Sequence, residues 1–152
     1  MYTEFDSYIS GNFSDDYWYD EGCLFAEEIL LKFSNDDWEQ LRINVSGKSS
    51  EWKCKLAYII EADQGVDGLN ILLSMIDENQ ELLMLVIDSL RSFDSEEYKK
   101  IIMQNSQAIS RAQGLTTSES LPVKLIAQDF LKKISALIIL VELFGCRGGN
   151  YD

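Results

Sequence analysis

Carboxylates are the chemistry most available to this chain. They come as adjacent pairs, Asp15-Asp16, Glu27-Glu28 and Asp36-Asp37, and four of them, Asp15, Asp16, Asp20 and Glu21, surround three consecutive aromatics in the stretch NFSDDYWYDEG. Two carboxylates of unequal pKa can work as general acid and general base, and a cluster of them can hold a cation. Neither use suits these spacings. Neighbours on a helix lie about 100° apart, so adjacent acids aim at different points. They sit better at helix starts, where negative charge meets the positive end of the dipole. The cluster at 15–21 lacks the ligand-spaced loop of a calcium site. The chain has no histidine, so the commonest general base is missing, and no P-loop, nucleophile elbow, dinucleotide fingerprint or EF-hand occurs. Cys23, Cys54 and Cys146 form no CxxC pair and read as reduced, buried thiols. The expectation is a protein that is not an enzyme, with no catalytic residue, metal or cofactor.

What remains for the carboxylates is recognition. The chain of 152 residues carries 26 acidic and 13 basic side chains, a net charge of −13. Such a field repels nucleic-acid backbones and anionic lipid, and it steers basic partners inward. The charge is uneven: residues 1–39 hold eleven acids against one base, Lys32, and ten of the seventeen aromatics. Acidity serving solubility alone gives no reason for that concentration. Three successive residues on a helix sweep about 200°, so Tyr17, Trp18 and Tyr19 cannot all face inward. At least one ring should stand among the acids, where exposed Tyr and Trp act as interface anchors. The competing reading is that the rings pin an N-terminal arm to the body. The candidate contact set is Asp15, Asp16, Tyr17, Trp18, Tyr19, Asp20 and Glu21, extended by Asp36 and Asp37. Like charge argues for a monomer.

The elements that must carry these residues read as helices. Residues 1–16 look like a less regular arm on a single helical domain spanning 1–152. Leu24, Phe25, Ile29 and Phe33 mark a first helix over about 19–33. Ser34 with Asp37 forms a capping box for a second helix bearing Trp38, Leu41 and Val45. Ser49 or Ser50 caps a third, where Trp52, Leu56, Ile59 and Ile60 share a face. Two apolar segments, 69–76 and 82–90, flank a polar turn at 77–80. Asp94 with Glu97 caps a helix running to about residue 113. A long last helix, 121–144, has Pro122 in its first turn and a buried stripe through Val123, Ile126, Phe130, Ile134, Leu137, Val141 and Phe144. No stretch alternates at period two. The fold class is all-α, with about seven helices in a HEAT-like stack or, alternatively, an irregular bundle. Acidic residues near the start, where a leader needs positive charge, and an apolar run at 136–141 too short to span a bilayer, point to a cytoplasmic protein off the membrane.

The order YWYDEGCLFAEEIL, DWEQL, KSSEWKCKLAYIIEAD and GLNILLSMIDENQELLMLVIDSLRSF, covering residues 17–93, resembles a group of small helical, HEAT-like bacterial immunity proteins. These accompany polymorphic toxins such as those of contact-dependent growth inhibition systems. Its most distinctive pieces are Trp38-Glu39-Gln40-Leu41, Ser49-Ser50-Glu51-Trp52 with Leu56-Ala57, and Ser89-Leu90-Arg91-Ser92-Phe93. The resemblance implies a stoichiometric inhibitor whose partner is the C-terminal domain of a cognate toxin. Such toxins are often nucleases, and nucleases carry basic clefts. A helical adaptor that binds a peptide or protein in a stacked groove is the alternative.

Overall fold

The computed structural model of the chain describes residues 1–77 and 79–145, with side chains through residue 136. Leu137, Val141 and Phe144 of the expected stripe, and Cys146, lie outside the described side chains. The described residues fold into nine helices and no strand. We number them α1 (Tyr2–Ile9), α2 (15–30), α3 (Asn35–Asn44), α4 (Ser50–Ile59), α5 (Gly65–Ser74), α6 (Gln80–Leu90), α7 (Glu96–Met103), α8 (Ser106–Leu115) and α9 (Leu121–Gly145). No helix among the described residues is long and apolar enough to cross a membrane.

Every second helix from α2 to α6 stacks in chain order, and α9 extends the row. α2 lies on α4, α4 on α6 and α6 on α9, while α5 packs on α6 and α7, and α8 on α9. The apolar faces foreseen from spacing make this row. Leu56 and Ile59 of α4, with Ile60 just past its end, share one contiguous core with Leu82, Val86, Ile87 and Leu90 of α6 and with Phe130 and Ile134 of α9. Each such side chain contributes about 1.5–3 kcal/mol by leaving water. Gly65 opens α5 at φ +61°, a conformation that an L side chain resists, so the chain can turn sharply after Gln64.

Two expectations need correction. Residues 1–16 are not an irregular arm, because α1 is helical and buries Phe5 and Ile9 completely. Eight residues are too few to hold a helix alone. Tertiary contact holds this one: Phe5 meets the edges of Phe33 at 5.4 Å and Trp52 at 6.3 Å. The second correction concerns the helix placed at 94–113, which is two helices. Ser95 caps α7 through the Tyr98 N–H, and Asn105 caps α8 through the Ala108 N–H.

The box at Ser34 is present as read from the sequence. Asp37 accepts the Ser34 N–H at 2.9 Å and the Ser34 hydroxyl at 2.8 Å, and it also accepts the Tyr2 N–H at 2.8 Å, tying α1 to α3. These backbone donors hold its carboxyl well below the ordinary range. A depressed pKa gives stability that is present above the unfolded value and is lost as pH falls through the folded one. Asp37→Ala is therefore expected to cost about 2 kcal/mol at pH 7. In urea titrations the gap to the parent should narrow below a pH of about 4.

Candidate functional site

The acidic aromatic stretch forms the start of α2, and it is not a plain α-helix. Ser14 accepts the Tyr17 N–H and opens an α turn at Asp15–Tyr17, which widens into a π turn at Trp18–Gly22 before α geometry resumes at Cys23–Leu30. A π turn shifts the hydrogen-bond register and leaves carbonyls to be satisfied from elsewhere. The Tyr8 hydroxyl donates to the Gly22 carbonyl at 3.1 Å, and the Cys23 thiol approaches the Tyr19 carbonyl at 3.5 Å. A Cβ at Gly22 would sit 3.2 Å from both the Tyr17 and Trp18 rings, so the turn is closed around a residue without a side chain. The outcome is a sorting of the three rings. Trp18 points inward at 3% exposure, whereas Tyr17 and Tyr19 stand out at 43% and 47%.

Tyr19 reaches across to α4, where its ring meets Tyr58 edge-on at 4.8 Å and 77°. Tyr19 lines two clefts along the α2–α4–α6 row. One, of about 400 Å³, is lined by Tyr19, Glu27, Tyr58, Glu61, Leu85 and Asp88. The other, of about 210 Å³, is lined by Asp15, Trp18, Glu51, Cys54, Lys55 and Glu81. Periodicity explains the alignment. Glu51 and Tyr58 on α4, and Glu81 and Asp88 on α6, are seven residues apart, two turns along one face.

The electrostatics of this face are one-sided. Burial, and then the charge of Glu61, raises the Glu27 carboxyl from its ordinary value. Tyr19 is pushed up by burial, then by Asp15, Glu81 and Tyr58, and Tyr58 by burial with Cys23, Glu27, Asp20 and Glu61. Burial, with Glu81 and Glu51, raises the Cys54 thiol to about 11, which keeps it protonated and unreactive. The nearby cations are already engaged. Lys55 pairs with Glu51 at 3.2 Å, donates to the carbonyls of Ile9 and Gly11, and lies 5.3 Å from the Phe13 ring and 5.7 Å from Trp18. Arg91 is bonded to Asp88 and Asp129. Asp15, Asp16, Asp20, Glu21, Glu27 and Glu81 form no ion pair with a described residue. The face is a field of uncompensated negative charge around two exposed rings.

Comparison with family models, curated proteins and solved structures gives no match. The chemistry of the site therefore rests on its own residues. Asp15 and Tyr19 line the clefts, and Asp20 adds to the field at Cys23 and Tyr58. Asp16, Tyr17 and Glu21 are exposed on the same helix start but line neither cleft, and Asp36 is exposed at the start of α3. Two of the expected contacts are structural. Trp18 belongs to the core, and the Asp37 carboxylate is consumed by its cap and the Tyr2 N–H. Glu27, Tyr58, Glu61 and Glu81 were outside the sequence-based set; the seven-residue spacings on α4 and α6 were the signal available for Tyr58 and Glu81, and no spacing marked Glu27 or Glu61.

Glu27 makes the strain measurable. Because its folded pKa is raised, the folded chain binds this proton more tightly than the unfolded chain. Its ionised form costs stability at neutral pH, and the cost disappears as pH falls through the raised value toward the unfolded one. Glu27→Gln should raise Tm by about 1–2 °C at pH 7, with solvent screening keeping the gain small. The gain should be absent at pH ~3.5, below the ordinary Glu pKa of about 4.3. Thermal scans at the two pH values test this.

Proposed function

We propose that the chain is an immunity protein that binds a basic toxin domain through the α2–α4–α6 face and silences it stoichiometrically. The observation that carries this reading is the face itself. Carboxylates without ion-pair partners among the described residues gather around exposed tyrosines, burial and the charge of Glu61 raise the Glu27 carboxyl, and a basic partner would supply the missing counter-charge. The resemblance of residues 17–93 to helical immunity proteins supplies the biological class, and the all-helical fold agrees with it. A nuclease is the favoured toxin, since a cleft built to hold phosphates presents the complementary charge. Steering between opposite fields gives fast capture, which an inhibitor of a toxin needs on arrival.

The test is direct. The purified chain, mixed with the C-terminal domain of the toxin encoded beside it, should form a 1:1 complex by sedimentation and abolish the domain's activity at equimolar ratio. Absence of a complex would remove the proposal.

A further inference from the structure

We infer that the cleft between Tyr19, Glu27, Tyr58 and Glu61 receives an arginine side chain of the basic partner. This rests on the proposed function for its partner class and adds the chemistry of the anchor. The cleft is about 400 Å³, room enough for a guanidinium and its stem together with water. Its walls are two tyrosines, 47% and 38% exposed, whose ring faces attract a flat cation. Two carboxylates complete it. Glu27 is unpaired among the described residues, and Glu61 keeps acceptor capacity beyond its capping of the turn at Gln64. Asp88, the third acid of the cleft, is held by Arg91 and is not available.

The combination selects among side chains. An apolar anchor would cover Glu27 and Glu61 without pairing them, leaving desolvated charge without a partner. Lysine satisfies the charge, but as a compact, strongly hydrated ammonium it does not stack flat on a ring. Arginine can do both, lying against tyrosine while its planar fork meets carboxylate oxygens. The neighbouring cleft is less suited, because Lys55 already occupies its charge balance with Glu51.

The experiment is a heteronuclear NMR titration of the full chain at low salt with capped tri-arginine and tri-lysine peptides. The tri-arginine peptide should produce saturable shifts at Tyr19, Glu27, Tyr58 and Glu61 and bind at least about fivefold more tightly than tri-lysine. The double variant Glu27→Gln/Glu61→Gln should weaken it about tenfold. That variant keeps an acceptor oxygen for the cap at Gln64, and far-UV circular dichroism checks its fold. Equal affinity for the two peptides, shifts spread over Asp16 and Asp36, no saturable shift, or a double variant that binds like the parent would each overturn the arginine site. None of these results touches the toxin complex, which is read by sedimentation. Conversely, a toxin domain that fails to bind while tri-arginine fills the cleft removes the proposed function and leaves the site standing.

Discussion

Trp18→Ala is expected to lower the stability of the chain by about 3–5 kcal/mol, a large share of the ~5–15 kcal/mol that holds a typical domain together. Trp18 is 3% exposed, its ring lies tilted against Phe13 at 5.7 Å, and the Lys55 ammonium is 5.7 Å from its centroid. Its loss opens a cavity beneath the π turn and strips Lys55 of one of its two rings. Trp18→Phe should cost much less, about 1–2 kcal/mol, because a ring remains. The indole N–H it removes is buried without a partner among the described residues, so that deletion carries no hydrogen-bond loss to them. Tyr19→Ala, one position along but half exposed, should stay within about 1 kcal/mol of the parent. Urea unfolding followed by circular dichroism measures all three. Equal losses at 18 and 19 would contradict the sorting of rings by the π turn.

The second large effect is on binding. Converting Asp15, Glu27, Glu61 and Glu81 together to Asn or Gln should slow association with a basic toxin domain at least tenfold at low salt, the lower end of electrostatic rate enhancement, roughly 10–1000-fold. The same variant should stay within about 1 kcal/mol of the parent's stability, since relief of the Glu27–Glu61 repulsion offsets the loss of the first-turn charges at Asp15 and Glu81. A stability loss in place of a rate loss would mark these acids as structural.

The question posed by the acid-ringed aromatics has a divided answer. Most of the aromatic excess near the start of the chain is packing. Phe5 bridges Phe33 and Trp52, Phe33 meets Trp38 at 5.2 Å, and Tyr8 joins Phe13 and Phe25 at 5.1 and 4.8 Å. The acids tell the other half, since those on α2 mostly stay unpaired. Side-chain caps were legible at Ser34 and, as one of two candidates with Ser50, at Ser49, because their chemistry is local, acting within three residues. The helix α1 was not legible, because its support comes from residues 33 and 52. The break at 104–105 was hidden because an Asn cap inside a polar helical pattern resembles an ordinary surface residue. The π turn gave no periodic signal of its own, although Gly22 amid large rings was its trace. For the site, Asp15 and Tyr19 could be named from one stretch. Tyr58, Glu61 and Glu81 come from α4, the turn after it and α6, and only the stacking of alternate helices brings them to the same face.

The most direct measurement of the central claim is the association rate between this chain and the basic toxin domain proposed as its partner, followed by stopped-flow fluorescence from about 20 to 500 mM salt. Capture by the α2–α4–α6 face predicts a rate that falls steeply as the Debye length shrinks from roughly 20 to 4 Å, and a flattened dependence for the variant neutralised at Asp15, Glu27, Glu61 and Glu81. A rate indifferent to salt, or a neutralised variant that follows the parent at every concentration, would contradict it.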